Sequence, residues 1–226
     1  MTIEITNQGM LKNCQLYYTK IEQLPSEDTV AYFLNCLPPL LQKRLLMYKG
    51  EKAKTLSLIG KLLLLHGLKN MGFEKEILRS IYYSGNGRPY IKNFPLDFNI
   101  SHSKNMIVCA ITSKCKVGVD IQKIVKISKT AASFFLHPME QKEMDDRNKI
   151  AIWAKKEAMG KIEGNGLGMA FTEIYCPDNT YYKGQKSYYI HYPEIDKDYV
   201  CCIAINSKPV NIIKNEVTRN ELIKYA

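Results

Sequence analysis

The sequence predicts an α+β protein of two lobes, each an antiparallel sheet packed against a helix. Three observations carry this. Strand and helix signals do not alternate as a βαβ series; a helical stretch followed by short strands occurs twice in 226 residues. Apolar residues make up 46% of the chain and charged residues 24%, ordinary globular values at a length that buries a sizeable core. No low-complexity linker separates the halves, so they are expected to share an extensive interface, with lobes at residues 1–113 and 114–226.

Each element follows from local pattern. Residues 2–19 read as one or two short strands, with Ile3 and Ile5 in one and Leu16, Tyr17 and Tyr18 in the other. A helical region starts near Asp28, and the break at Leu37-Pro38-Pro39 leads into a predicted helix over residues 40–70. There Leu45, Tyr48, Lys52, Leu56, Ile59 and Leu63 step by three and four, and Gly72 marks the stop. Residues 77–83 alternate as a strand, and 84–89 form a turn. Further strands are expected at 98–101, 106–112 and 117–121. Helices are expected at 129–136, 138–146 and 150–163, ended by Gly164, Gly166 and Gly168. The tail reads as strands at 171–175, 187–192 and 199–206.

Composition excludes several classes. No apolar run approaches the roughly 18 residues of a membrane span, and Met1-Thr2-Ile3-Glu4 opens no signal-peptide pattern. The seven cysteines are odd in number and include no C-x-x-C, which argues against a disulfide framework or a zinc site and for a reducing, cytoplasmic setting. The formal charge is +10, with 14 basic against 8 acidic residues up to Ser113 and 18 against 14 after it. One cluster stands out: Lys43, Arg44, Lys49, Lys52, Lys54 and Lys61, opposed only by Glu51. Such a balance favours anionic partners; its plain alternative is a solvated lysine-rich face.

Three segments carry candidate chemistry. In Asn99-Ile100-Ser101-His102-Ser103, neighbours on a strand point to opposite faces, so Ser101 and His102 are poorly placed as nucleophile and base. An imidazolium, a hydroxyl and free backbone N–H groups suit a phosphate; the alternative is a histidine capping a turn. In Gly118-Val119-Asp120-Ile121-Gln122, Asp120 shares a face with Gly118 and Gln122, and a carboxylate there needs a partner or a hard cation. In the third, Trp153, Glu157 and Lys161 share one helix face, where Glu157 would act as metal ligand or base and Lys161 as phosphate clamp. Taken alone, that pair is also an ordinary surface salt bridge.

The motifs in order are Gly87-Arg88-Pro89, Phe98-Asn99-Ile100-Ser101-His102-Ser103, Gly118-Val119-Asp120-Ile121, Trp153-x-x-Lys156-Glu157-Ala158-x-x-Lys161 and Gly164-x-Gly166-Leu167. In order and spacing the chain resembles the 4′-phosphopantetheinyl transferases of the surfactin-synthetase-activating type. The resemblance spans somewhat over a third of the chain. It implies a pseudo-dimer of two similar lobes with coenzyme A in the cleft between them. The implied reaction transfers the phosphopantetheine arm to a serine of an apo acyl or peptidyl carrier protein and releases adenosine 3′,5′-bisphosphate. By the same resemblance, Gly87, Arg88 and Pro89 line the adenine region, Ser101 and His102 hold the 3′-phosphate, and Lys156 and Lys161 join the coenzyme-binding set. Asp120 and Glu157 would hold Mg²⁺, with Mn²⁺ the other candidate and Gln122 completing the metal side. Asp120, Glu157 and Lys161 form the implied catalytic set.

One position departs from the pattern. Many members of the family carry Glu where this chain has Gln122, so one negative charge fewer is expected at the metal. Apolar residues between 124 and 144 are the expected carrier-docking region, with Phe134 and Phe135 read as core. An internal pseudo-dimer implies a monomer. The alternative readings are a coenzyme A-binding protein impaired in catalysis through Gln122, and a nucleic-acid module suggested by charge and 15 tyrosines. The latter lacks any recognised module signature, so neither nucleic acid nor membrane is expected as a partner.

Overall fold

The computed structural model describes residues 13–164, 170–208 and 210–224. The expected strand at Ile3 and Ile5, and Gly166, Leu167 and Gly168, lie outside the described residues. The first sheet contains strands β1 (Asn13–Lys20), β4 (Leu96–Ser103), β5 (Met106–Ser113) and β10 (Asn211–Glu216), in the order β10-β1-β5-β4. The second contains β6 (Val117–Lys123), β7 (Thr180–Lys183), β8 (Lys186–His191) and β9 (Tyr199–Ile205), in the order β6-β9-β8-β7. A two-stranded ribbon joins β2 (Ile81–Tyr83) to β3 (Pro89–Ile91).

Helices α1 (Glu27–Asn35), α2 (Pro39–Leu46) and α3 (Glu51–Asn70) precede the ribbon. Helices α4 (Lys129–Ser133), α5 (Asp146–Glu163) and α6 (Arg219–Ile223) follow β6. Helix α5 is capped by the Asp145 side chain, which accepts from Asn148 N–H at 2.7 Å. Helix α3 ends where expected. Gly72 sits at φ +85°, and the Phe73 and Gly72 N–H groups return to the Leu68 and Lys69 carbonyls.

Period-two alternation builds three apolar layers. Tyr17, Ile107, Cys109 and Ile111 pack under Leu56, Ile59 and Leu63 of α3. The opposite face, with Leu16, Met106, Val108 and Ala110, meets Val117, Val119, Ile121, Cys201 and Ile203 of the second sheet. That sheet's far face, with Val200, Cys202 and Ala204, packs on Ala154, Ala158 and Ile162 of α5. Each such buried aliphatic side chain contributes roughly 1.5–3 kcal/mol.

The structure differs from expectation in several elements. The helix expected at 40–70 is two helices, broken where Met47 closes α2 and extended Gly50 opens α3. Residues 77–80, 138–140 and 171–173 are 3₁₀ turns rather than parts of a strand, a helix and a strand. Nor does the first sheet stay antiparallel or within residues 1–113. Strand β10 runs parallel to β1, with Leu16 opposite Lys214, and Val217 and Leu222 bury in the first core. The chain's last strand therefore returns across the boundary placed at residue 113.

Gly118 fixes how closely α5 can approach. A Cβ there would lie 2.1 Å from the Ala158 carbonyl oxygen and 2.8 Å from the Ile162 nitrogen. Both are backbone atoms of a packed helix, so the helix itself must move. Gly118→Ala is expected to destabilise the protein by about 1–3 kcal/mol or more, read as a lower urea midpoint. An unchanged midpoint would show that α5 gives way freely.

Candidate active site

The site grows from β4. On its alternating backbone, Asp97, Asn99, Ser101 and Ser103 face β6, while Phe98, Ile100 and His102 face the other way. Strand β6 is an edge strand, and its outward N–H groups need acceptors. Val117 N–H donates to Asp97 Oδ2 at 2.8 Å, Val119 N–H to Asn99 Oδ1 at 2.9 Å and Lys123 N–H to Ser103 Oγ at 3.1 Å. The motif thus stitches the two sheets together through side chains. Sequence reasoning gives Asp97 and Asn99 no role; their shared period-two face is the signal that finds them.

Ser101 breaks the series. Its hydroxyl donates to Asp120 Oδ1 at 2.8 Å and accepts from Lys161 Nζ at 2.9 Å. Lys161 Nζ also donates to Asp120 Oδ1 at 2.6 Å and to the Val119 carbonyl at 3.1 Å. Asp120 is 2% exposed, and Oδ2 accepts from Gln122 Nε2 at 2.8 Å. Glu157 lies one helical turn before Lys161, half-buried, with no hydrogen bond among the described residues. Burial and then the Asp120 charge push its carboxyl above the usual range, while Lys161 pulls it back.

Two carboxylates that repel each other, one of them without a hydrogen bond, fit a divalent cation. Among the described residues no group of three or more acidic, histidine or cysteine side chains gathers. A hard cation here would draw its remaining ligands from water or phosphate oxygens. Gln122 does not fit as a ligand in this arrangement. Its N–H₂ must face the Asp120 oxygen, because two acceptors would repel, and its oxygen turns toward Ser103.

Beside this cluster lies a cavity of about 480 Å³ lined by Arg44, Lys61, Tyr48, Tyr83, Gly87, Pro89, Asn99 and His102. Arg44 sits 4.3 Å above the Tyr83 ring, a cation–π contact that holds the guanidinium at the wall. Lys61 donates to Ser57 Oγ at 3.0 Å; burial and then the Arg44 charge pull its pKa down to about 8. His102 joins cavity and carboxylates: burial, then Lys161 and Lys61, depress its pKa, and Asp120 opposes them. Concentrated positive charge against aromatic walls suits a ligand with phosphate and a flat ring. The basic cluster of the sequence therefore contributes Arg44 and Lys61, and these two could be told from their neighbours only in three dimensions.

On the other side of Gln122 runs an open groove of about 690 Å³, lined by Val125, Ile127, Ala131, Phe134, Phe135 and Trp153 among others. Phe135 is core as expected, packed edge-on against Trp153 at 5.2 Å. Phe134 is not: it closes the short helix α4 and stands 77% exposed, because Phe135 and Leu136 take the inward positions.

Four further residues depart from their expected places. Ser101 and His102 do not converge on one phosphate; strand alternation sends Ser101 to Asp120 and His102 to the cavity. Lys156 does not reach a ligand. It is 0% exposed, and its Nζ donates to Glu140 Oε2 at 2.5 Å, to the Phe135 carbonyl at 2.8 Å and to the Phe171 carbonyl at 3.0 Å. Adjacent helix positions diverge by about 100°, so with Glu157 turned toward Asp120 Lys156 points inward. Arg88 turns away from the cavity that Gly87 and Pro89 line and pairs with Asp97 at 2.5 Å.

The segment that carries this cluster is similar to known proteins. Residues 116–204 match the model of the 4′-phosphopantetheinyl transferase superfamily, a segment that contains Asp120, Glu157 and Lys161. The chain is 28% identical over 198 residues, 80% of its length and 81% of the relative's, to the 4′-phosphopantetheinyl transferase gsp of Aneurinibacillus migulanus. It is 34% identical to the 4′-phosphopantetheinyl transferase Sfp of Bacillus subtilis (strain 168) over 91 residues, which cover 37% of this chain and 40% of that protein. With the 4′-phosphopantetheinyl transferase AcpT of Escherichia coli (strain K12) it shares 32% identity over 119 residues, 46% of this chain and 57% of that one. Over the matched segment, and in the order of its motifs, the chain is similar to the 4′-phosphopantetheinyl transferases.

Proposed function

We propose that this protein transfers the 4′-phosphopantetheine arm of coenzyme A to a serine of an apo acyl or peptidyl carrier protein and releases adenosine 3′,5′-bisphosphate. The observation that carries this reading is the Asp120–Glu157–Lys161 cluster opening beside a cationic, aromatic-walled cavity. Arg44, Lys61 and His102 would hold the 3′-phosphate end, with the adenine against Tyr83, Gly87 and Pro89. Asp120 and Glu157 would hold Mg²⁺, which when bound neutralises pyrophosphate oxygens and polarises the reacting phosphorus.

The chain's own residues do the rest. As the serine oxygen bonds to the phosphorus that bears the pantetheine arm, the bond from that phosphorus to the bridging oxygen of adenosine 3′,5′-bisphosphate breaks. Glu157 takes the serine proton, directly or through a water. Lys161 holds Asp120 and sets its charge beside the leaving phosphate. Little covalent work remains, since phosphoryl transfer rests on positioning and charge neutralisation.

The test is the intact mass of an apo carrier incubated with coenzyme A and Mg²⁺. The expected gain is one phosphopantetheinyl group, lost with chelator. No gain across fatty-acid, polyketide and peptide carriers, with coenzyme A still bound, would favour the impaired binding protein instead.

Two outcomes follow from the walls of the site. Lys61 is charged below about pH 8 and neutral above it, so it attracts phosphate on the acid side only. The KM for coenzyme A is expected to rise roughly five- to tenfold between pH 7 and 9, and that rise should flatten in Lys61→Met. A profile unchanged by the substitution would remove Lys61 from the binding set. The exposed Phe134 is the proposed anchor for an apolar helix face of the carrier. Phe134→Ala should raise the KM for carrier by about tenfold and leave that for coenzyme A alone; parallel changes in both would count against docking in this groove.

A further inference from the structure

Arg88 spends its whole hydrogen-bonding capacity inside the protein. Nε donates to the Lys161 carbonyl at 3.0 Å. Nη1 donates to Asp97 Oδ1 at 2.8 Å and to the Pro89 carbonyl at 3.4 Å. Nη2 donates to Asp97 Oδ2 at 2.5 Å and to the Val117 carbonyl at 2.9 Å. These account for all five N–H donors of a guanidinium. The side chain is 12% exposed and its Asp97 partner 11%, so no N–H faces a ligand.

Apart from the neighbouring Pro89 carbonyl, the partners belong to three elements that make the site. Asp97 lies on β4 and also receives the Val117 N–H. Val117 opens β6, three residues before Asp120. Lys161 is in the last turn of α5, and its side chain reaches Asp120, Ser101 and Val119. Lys161 is therefore held at both ends: its carbonyl by Arg88 and its ammonium by Asp120. A cation at the carbonyl end of a helix is also favourably placed against the helix dipole.

We propose that Arg88 is a positioning residue: its fork clamps the last turn of α5 to β4 and β6, and thereby sets Lys161 and Glu157 against Asp120. This rests on the transfer reading above. A single-point cation cannot replace it. An ammonium carries three donors on a flexible stem and cannot supply the five bonds that the guanidinium makes to both Asp97 oxygens and three backbone carbonyls.

The test separates positioning from ligand contact and from loss of fold. Arg88→Lys and Arg88→Gln are assayed for kcat and for the KM of coenzyme A, and coenzyme A binding is titrated by calorimetry to count binding-competent sites. The expected result is that both variants lose at least tenfold in kcat per binding site, with the Kd for coenzyme A within about twofold of wild type. Arg88→Lys should be nearly as impaired as Arg88→Gln. Three results would overturn the role. If Arg88→Lys is close to wild type while Arg88→Gln loses affinity for coenzyme A, Arg88 is a ligand contact. If activity falls only as the number of binding sites falls, the residue serves stability alone. A wild-type protein that transfers to no carrier would remove the transfer reading itself and this role with it.

Discussion

Glu157→Gln is expected to cost about 10²–10⁴ in kcat for transfer while leaving the fold at least as stable as before. The substitution keeps shape and volume and removes one charge. Within the described residues it breaks no hydrogen bond, because the Glu157 carboxylate makes none. The direction of the stability change follows from linkage. Burial and Asp120 raise the folded-state pKa of Glu157 above its unfolded value. Its favourable contribution is therefore complete below the unfolded pKa and is lost as pH rises through the folded one. At neutral pH the ionised carboxylate is a burden that glutamine lifts. Thermal melting at pH 7 should show an equal or higher Tm, and the carrier-mass assay should show little transfer. Full activity in Glu157→Gln would end its assignment as proton acceptor, and a lost fold would show that the carboxylate serves structure.

Lys156→Ala should do the reverse and strike the fold first. The ammonium sits at 0% exposure among one carboxylate and two backbone carbonyls. Removing it leaves Glu140, itself 8% exposed, with its charge uncompensated, and leaves the Phe135 and Phe171 carbonyls without this donor. Breaking a buried pair from one side costs about 3–5 kcal/mol. In a chain of 226 residues that corresponds to roughly 10 °C in Tm. Glu140 also accepts from the His137 N–H at 2.9 Å, so the turn before α5 should loosen as well. Lys156→Met combined with Glu140→Gln should recover most of the loss, because replacing both charges leaves none stranded. Urea unfolding of the single and double variants checks this. Equal losses in both would mean that the carbonyls, and not the charge pair, set the cost.

How far the site could be read from sequence depended on whether the signal was local. Period two on a strand separates Ser101 from His102 and puts Asp120 with Gln122, and a spacing of four aligns Trp153, Glu157 and Lys161; each is a property of one element. What failed was information carried by partners distant in the chain. Lys156 sits in a polar run and looks solvated; only the Glu140 carboxylate and the Phe171 carbonyl, brought over by folding, make its burial tolerable. Arg88 stands in a turn motif and looks free to bind, yet Asp97 and Lys161 occupy its fork. Phe134 and Phe135 are indistinguishable by composition, and the end of a five-residue helix decides which one turns outward. The return of β10 to the first sheet leaves no local trace either, since Asn211–Glu216 is as polar as a loop.

That return has a consequence for how the molecule is made. The contact that completes the first sheet joins Asn13 to Asn211 and Tyr18 to Glu216, nearly the whole length of the chain apart. Pairings of such high contact order come late, because the intervening chain must be closed into a loop before they yield any stabilisation. While the polypeptide emerges from the ribosome, β1 has one neighbour in β5 and a bare flank on the other side until residue 216 has been synthesised. During that interval the flank is an open template for another nascent strand. The last strand of the protein thus acts as the seal on its first, and the window of exposure is set by the speed of translation.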